Sequence, residues 1–264
     1  MTSVASTTLT DSKPQTQVAV RLTGVSKSFR QGRSVVTALD DISLAADGGE
    51  FVCIVGASGC GKSTLLSLVA GLDQASSGEV HIGTRRPALM FQEPALFPWL
   101  TAARNIEVPL RARGVPKQQR REQVSELLAT VRLSEFADAR PHQLSGGMRQ
   151  RVALARALAQ EADTLLMDEP FGALDAITRD HLHTELERIV AECGLTVLFV
   201  THNVNEAVRL GDRVLVLSSR PGRVIADLPV PIERPRRANT ADVAELAAVI
   251  TDRLHAVEGG DGQH

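Results

Sequence analysis

From Val18 onward, short apolar runs alternate with turn-forming residues, and the runs are of two kinds. In VAVRL (18–22), ALDDISLAA (38–46) and GEVHIG (78–83), apolar and polar positions are interleaved. That pattern predicts antiparallel strands with one wet face. FVCIV (51–55), TLLM (164–167), TVLFV (196–200) and VLVL (214–217) are apolar throughout, or nearly so. Such runs suit strands buried on both faces.

Helical periods lie between them. Over 119–133, Val124, Leu127, Leu128 and Val131 fall at i, i+3, i+4, i+7. Over 177–192, Leu182, Leu186, Ile189 and Val190 fall at i, i+4, i+7, i+8. Each set makes one apolar face. Buried strands separated by helices predict an α/β fold with a parallel sheet covered on both sides. The stretch from about 94 to 160 is mostly helical and interrupts the strand series, so it reads as an inserted helical subdomain. A last amphipathic helix is expected over 240–256, capped by Thr240, with Val243, Leu246, Ile250 and Leu254 as its stripe. One domain, 17–256, is therefore expected between a disordered Ser/Thr-rich tail (1–16) and a flexible tail (257–264). No internal repeat is seen.

Composition narrows the class. The 264 residues carry a formal net charge of −2, which gives no ground for sequence-blind nucleic-acid binding. No stretch reaches the roughly 18 apolar residues that span a bilayer. The opening residues have no basic run leading into an apolar core, so no secretory signal is expected. Three scattered cysteines, Cys53, Cys60 and Cys193, are too few for a disulfide framework or a zinc site. The chain reads as cytoplasmic, with any membrane role exercised through a partner.

Gly56-Ala57-Ser58-Gly59-Cys60-Gly61-Lys62-Ser63, followed by Thr64, fits G-x-x-x-x-G-K-[ST]. It follows a buried-type strand and precedes the apolar helical run STLLSLVAGL, which is the context this motif requires. Its glycines let successive N–H groups turn inward onto phosphate oxygens, and the next helix adds its positive end. Lys62 is expected to reach the β- and γ-phosphates of a nucleotide, and the Ser63 hydroxyl to hold Mg²⁺. The competing reading is a chance glycine-rich turn.

A second buried-type strand, 164–167, ends in Asp168-Glu169-Pro170. Asp168 is where a Mg²⁺-supporting carboxylate belongs. Glu169, one residue beyond, is placed to polarise a water attacking the γ-phosphate. Taken alone, the pair reads more readily as carboxylates ending a strand at the surface; joined to the phosphate loop, it reads as functional. Most of the seven histidines read as solvated, but His202 ends a third buried strand, where ligands gather in such sheets. It is a candidate to bond the γ-phosphate or to hold Glu169.

Leu144-Ser145-Gly146-Gly147-Met148-Arg149-Gln150-Arg151 resembles the LSGGQ signature of ABC ATPases. A serine and two glycines opening a helix form a second anion site, although Ser145 would also serve a plain helix as its cap. The order phosphate loop, Gln92, signature, Asp168-Glu169, Gly172-Ala173-Leu174-Asp175, His202 matches that family over about 18–228. The resemblance implies a P-loop NTPase (RecA-like) core with an N-terminal antiparallel β subdomain and the inserted helical one. It implies ATP and Mg²⁺ as ligands. It also implies a head-to-tail pair of copies in which Ser145, Gly146 and Gly147 of one close on ATP held by the other.

By the same resemblance, Phe29 is the adenine-stacking aromatic, with an ordinary core residue as its alternative. Gln92 senses Mg²⁺ and the γ-phosphate, with a polar strand end as its alternative. Asp175 touches the partner copy, with a helix cap as its alternative.

The fifth signature position departs from the pattern, being Met148 rather than Gln, and the turn at Gly83–Arg86 looks short. The stiff apolar segment Glu93–Thr101, with the chain's single Trp at position 99, suits gripping a membrane partner, or else packs locally. FQEPALFPWLTAARNI, LSGGMRQR and LSSRPGRV resemble ATPase subunits of bacterial importers for nitrate, sulfonates and taurine. That resemblance implies permease partners, indirectly a solute-binding protein, and a peripheral place on the cytoplasmic face of the membrane. A soluble non-transport ABC ATPase and a regulatory nucleotide-binding module are the alternatives.

Overall fold

The computed structural model describes residues 17–32, 34–83, 85–237 and 240–258. The expected tail at 1–16, the last six residues and Thr84 of the short turn lie outside the described residues. In chain order the strands are β1 (Val18–Gln31), β2 (Ser34–Asp47), β3 (Phe51–Val55), β4 (Ser77–Ile82), β5 (Ala88–Met90), β6 (Thr164–Asp168), β7 (Thr196–Val200), β8 (Arg213–Leu217) and β9 (Val224–Pro229). The helices are α1 (Lys62–Val69), α2 (Ala102–Ala112), α3 (Lys117–Thr130), α4 (Gly146–Leu158), α5 (Ala176–Cys193), α6 (Val204–Leu210) and α7 (Ala241–Glu258).

Two sheets form. β2-β1-β4 is antiparallel, and β5-β6-β7-β3-β8-β9 is parallel except for β9, which runs against β8. The all-apolar runs are the interior strands of the second sheet, as their composition requires. Alternate residues feed two cores. Val52, Ile54, Leu198, Val200, Leu215 and Leu217 pack with α1 and the antiparallel sheet. Phe51, Cys53, Val55, Val197, Phe199, Val214 and Val216 pack with the helices on the other side. Burying these apolar side chains contributes about 1.5–3 kcal/mol each.

α2, α3 and α4 stand between β5 and β6 and form the inserted helical layer. Helix bounds differ modestly from the periodicity: α3 spans 117–130, so Val131 is buried just past its end, and α7 reaches Glu258. β5, β9 and α6 had no strong pattern in the sequence. Among the described residues, no helix is long and apolar enough to cross a membrane.

Candidate active site

Parallel pairing sets β5, β6, β7 and β3 side by side, so their carboxyl ends open onto one edge. Gln92 follows β5, Asp168 and Glu169 end β6, His202 follows β7, and Gly56 follows β3. Residues far apart in sequence thus meet at the edge where open α/β sheets bind ligands.

The phosphate loop is locked by its own glycines. Gly61 has φ 106°, and a Cβ there would lie 2.6 Å from Leu39 Cδ2 and 2.9 Å from the Ala38 carbonyl oxygen. A Cβ on Gly56 would sit 2.9 Å from Cys60 Sγ. α1 holds the loop from below through buried Leu65, Leu66, Leu68 and Val69. Lys62 is only 6% exposed, and its ammonium donates to the Gly56 and Ala57 carbonyls at 2.8 and 2.9 Å. These are the bonds a phosphate would take over. Burial pushes the Cys60 thiol up, so it is held neutral beside the lysine.

A cavity of about 500 Å³ opens over the loop, lined by Phe29, Ser58, Lys62, Ser63, Glu169 and Arg220 among others. Phe29 is 42% exposed, with the Lys27 ammonium 4.9 Å from its ring centroid, so its face is offered to the cavity and not to the core.

Burial pushes the Asp168 carboxyl up from its ordinary value, while a hydrogen bond with Ser63 opposes the rise. One carboxylate and one hydroxyl side by side fit a Mg²⁺ site of the kind that takes most of its oxygens from substrate and water. Gln92 lies on the same side: its amide nitrogen would be 3.4 Å from a Cβ on Gly172, which itself would be 3.9 Å from Glu169 Oε2.

Glu169 has φ 44°, a left-handed conformation unusual for a side-chain-bearing residue. Bonds from its N–H to Val200 O (3.0 Å) and from Gly172 N–H to its carbonyl (3.1 Å) hold it there. His202 Nδ1 lies 2.9 Å from Glu169 Oε2. A carboxylate only accepts, so Nδ1 carries the hydrogen in that pair. The sequence did not single out the support behind His202. Thr201 donates to Glu206, and Glu206 Oε1 meets His183 Nε2 at 2.5 Å. His183 is buried, unlike the solvated histidine expected there.

The signature residues are elsewhere. Ser145 caps α4, accepting from Met148 N–H at 3.2 Å, and Asp175 caps α5, accepting from Thr178 N–H at 3.0 Å. That bond to Thr178 lowers the Asp175 carboxyl. A Cβ on Gly147 would be 2.7 Å from Thr178 Cγ2, so the two helix starts are packed together. Among the described residues, Ser145, Gly146, Gly147, Asp175 and Gln92 are not part of the cavity lining.

α4 also holds the segment after Gln92. Gln150 donates to the Gln92 carbonyl (2.8 Å), and Arg156 donates to the Pro94 and Ala95 carbonyls (2.8 and 2.7 Å). Buried Asn105 accepts from Phe97 N–H and donates to the carbonyls of Phe97, Leu100 and Thr101. This leaves Trp99 68% exposed beside Phe97.

Comparison with known proteins bears on the family of the chain. The sequence profile described as ABC transporter matches residues 39–172. The chain is 47% identical over 236 residues to the aliphatic sulfonates import ATP-binding protein SsuB 1 of Mesorhizobium japonicum, covering 88% of this chain and 86% of that protein. It is 44% identical over 253 residues to the protein of the same name in Rhizobium johnstonii, covering 93% and 88%. Among solved structures, the dimeric ATP-binding cassette MJ0796, in a post-hydrolysis state bound to ADP and Pi, superposes with a TM-score of 0.71 at 35% identity, covering 81% of this chain and 100% of that one.

Proposed function

The chain belongs to the ABC transporter family, and from that premise we propose that it is the ATP-hydrolysing subunit of a bacterial importer for small sulfonate-type anions, working as one of two paired copies. ATP binding and ATPase activity go with the family; the solute class, the pairing and the residue roles are the proposal. The observation that carries it is the division of parts. The phosphate-loop cavity, with Glu169 in its lining and His202 bonded to that glutamate, has no signature residue of its own chain among its described lining residues. A second copy, placed head to tail, supplies Ser145, Gly146 and Gly147 there. The dimeric cassette similar to this chain supports the pairing.

In this reading the adenine stacks on Phe29, and the phosphates take the loop N–H groups, the α1 N-terminus and Lys62. Lys62 gives up its bonds to Gly56 and Ala57 to do so. Ser63 and Asp168 would hold Mg²⁺ with Gln92 beside them; the ion would supply charge neutralisation on the phosphate oxygens. Glu169 takes a proton from a water as that water's oxygen attacks the γ-phosphorus and the bond to the β-γ bridging oxygen breaks, giving ADP and phosphate. His202 holds the carboxylate in place. Catalysis of this kind is mostly positioning, which suits a site whose glutamate is fixed in an uncommon backbone conformation.

Because α4 carries both the signature and the donors gripping Gln92–Ala95, closure of the pair moves the Phe97–Trp99 surface with it. That surface is proposed to dock the permease, which places the chain peripherally on the cytoplasmic face of the membrane. The solute class rests on the relatives named for sulfonate import. Copurification with its permease, reconstitution with the solute-binding protein, and ATPase assays with alkanesulfonates, taurine and nitrate test it. Sulfonate-stimulated turnover is expected; stimulation by an unrelated solute, or no membrane partner, contradicts it.

A further inference from the structure

The connection between β8 and β9 is fastened to the phosphate loop and to β2. Gly222 N–H donates to the Ala38 carbonyl and Asp40 N–H donates to the Gly222 carbonyl, both at 2.9 Å. A Cβ on Gly222 would lie 2.2 Å from the Cys60 carbonyl oxygen, so only glycine lets the two loops approach this closely. Ser218 Oγ accepts from Arg223 N–H and donates to the Pro221 carbonyl, closing the turn. The fastened turn presents one cation to the cavity, Arg220, whose Nε and Nη2 donate to the Gly59 carbonyl at 3.3 and 3.2 Å.

Arg220 differs from its neighbours in charge pairing. Arg223 is paired with Asp40, whereas no ion pair among the described residues includes Arg220. The other guanidinium in the cavity lining belongs to Arg30, which follows Phe29 in the chain. A guanidinium anchored on the rim of a phosphate loop, in a cavity that must accept several negative charges, suits a charge-assisted hydrogen bond to a phosphate oxygen.

We propose that Arg220 is a nucleotide-binding residue, a second cation that takes the polyphosphate from the Gly59 side of the loop opposite Lys62. This rests on the nucleotide reading of the cavity and adds a wall that the phosphate-loop motif does not contain. ATP draws the guanidinium off the Gly59 carbonyl, which links the β8–β9 connection to nucleotide occupancy.

The test is the ATP dissociation constant of the purified chain, in Mg²⁺ buffer, for wild type, Arg220→Gln, Arg220→Lys and Lys62→Ala. Glutamine still donates a hydrogen bond but carries no charge; lysine keeps the charge. Arg220→Gln is expected to bind ATP about ten- to a hundredfold more weakly, the loss expected for a charge-assisted bond. That loss should shrink as salt is raised. Arg220→Lys should retain most of the affinity. If Arg220→Gln binds like wild type, or if Gln and Lys weaken binding equally, the assignment of Arg220 is overturned, while a weakened Lys62→Ala leaves the nucleotide reading standing. Unchanged affinity in Lys62→Ala would remove that reading itself. Should Arg220→Gln not fold, wild-type-like affinity in Arg220→Lys together with its loss in Arg220→Met decides in favour, and equal affinity in those two decides against.

Discussion

Two parts of this chain are proposed to hold phosphate, the loop Gly56–Ser63 and the start of α4 at Ser145, and they are finished to different degrees. The loop has walls on every side: Leu39 against Gly61, Leu217 against Gly56, Gly222 against Cys60, and a cavity above. Its lysine is already engaged with its own carbonyls. The start of α4 has a serine cap, bare N–H groups and a helix dipole, but among the described residues it has no place in that cavity. In the proposed reading one is a binding site and the other closes the site of a second copy. On that reading, the contrast teaches that the chain carries two complementary halves of a composite site.

The comparison can be broken at its strongest point by Glu169→Gln. Losing the base should lower kcat by about 100- to 10,000-fold while ATP still binds; unimpaired turnover would remove Glu169 from its role. Ser145→Arg tests the lid. It should cut hydrolysis about 100- to 1000-fold, as loss of a transition-state donor does, yet leave the isolated chain's ATP affinity unchanged. A parallel loss of affinity would mean that the signature acts on its own chain's site. Gly61→Ala tests the walls: a residue at φ 106° crowding Leu39 should cost about 2 kcal/mol or more, lowering Tm by about 4–8 °C in a thermal melt. The mildest change is Phe29→Ala. Removing about 1 kcal/mol of stacking should weaken ATP binding about fivefold in a titration, with GTP and ATP affinities drawing closer.

The fold was legible where burial leaves a compositional mark. FVCIV, TLLM, TVLFV and VLVL are all-apolar because both faces of the sheet are covered, and each is a strand. β5 was missed because only three residues pair, and β9 because its mixed burial at the sheet edge mimics a loop. α6 is too short, at seven residues, to show a helical period.

At the site, phosphate-loop chemistry is local and therefore readable. The supporting residues are not. Arg220 meets a glycine 161 positions away. Gln150 and His183 are polar residues that a helical pattern sends to solvent, yet they are buried because each satisfies groups of a distant segment. Spacing carries no trace of such pairings.

The central claim is that two copies make one working site. Light-scattering chromatography of Glu169→Gln, with and without Mg-ATP, tests it most directly, alongside Glu169→Gln combined with Ser145→Arg. The account predicts a nucleotide-dependent dimer holding two ATP for the first and an ATP-loaded monomer for the second. A Glu169→Gln chain that stays monomeric while saturated with ATP, in the presence of its permease, would contradict it.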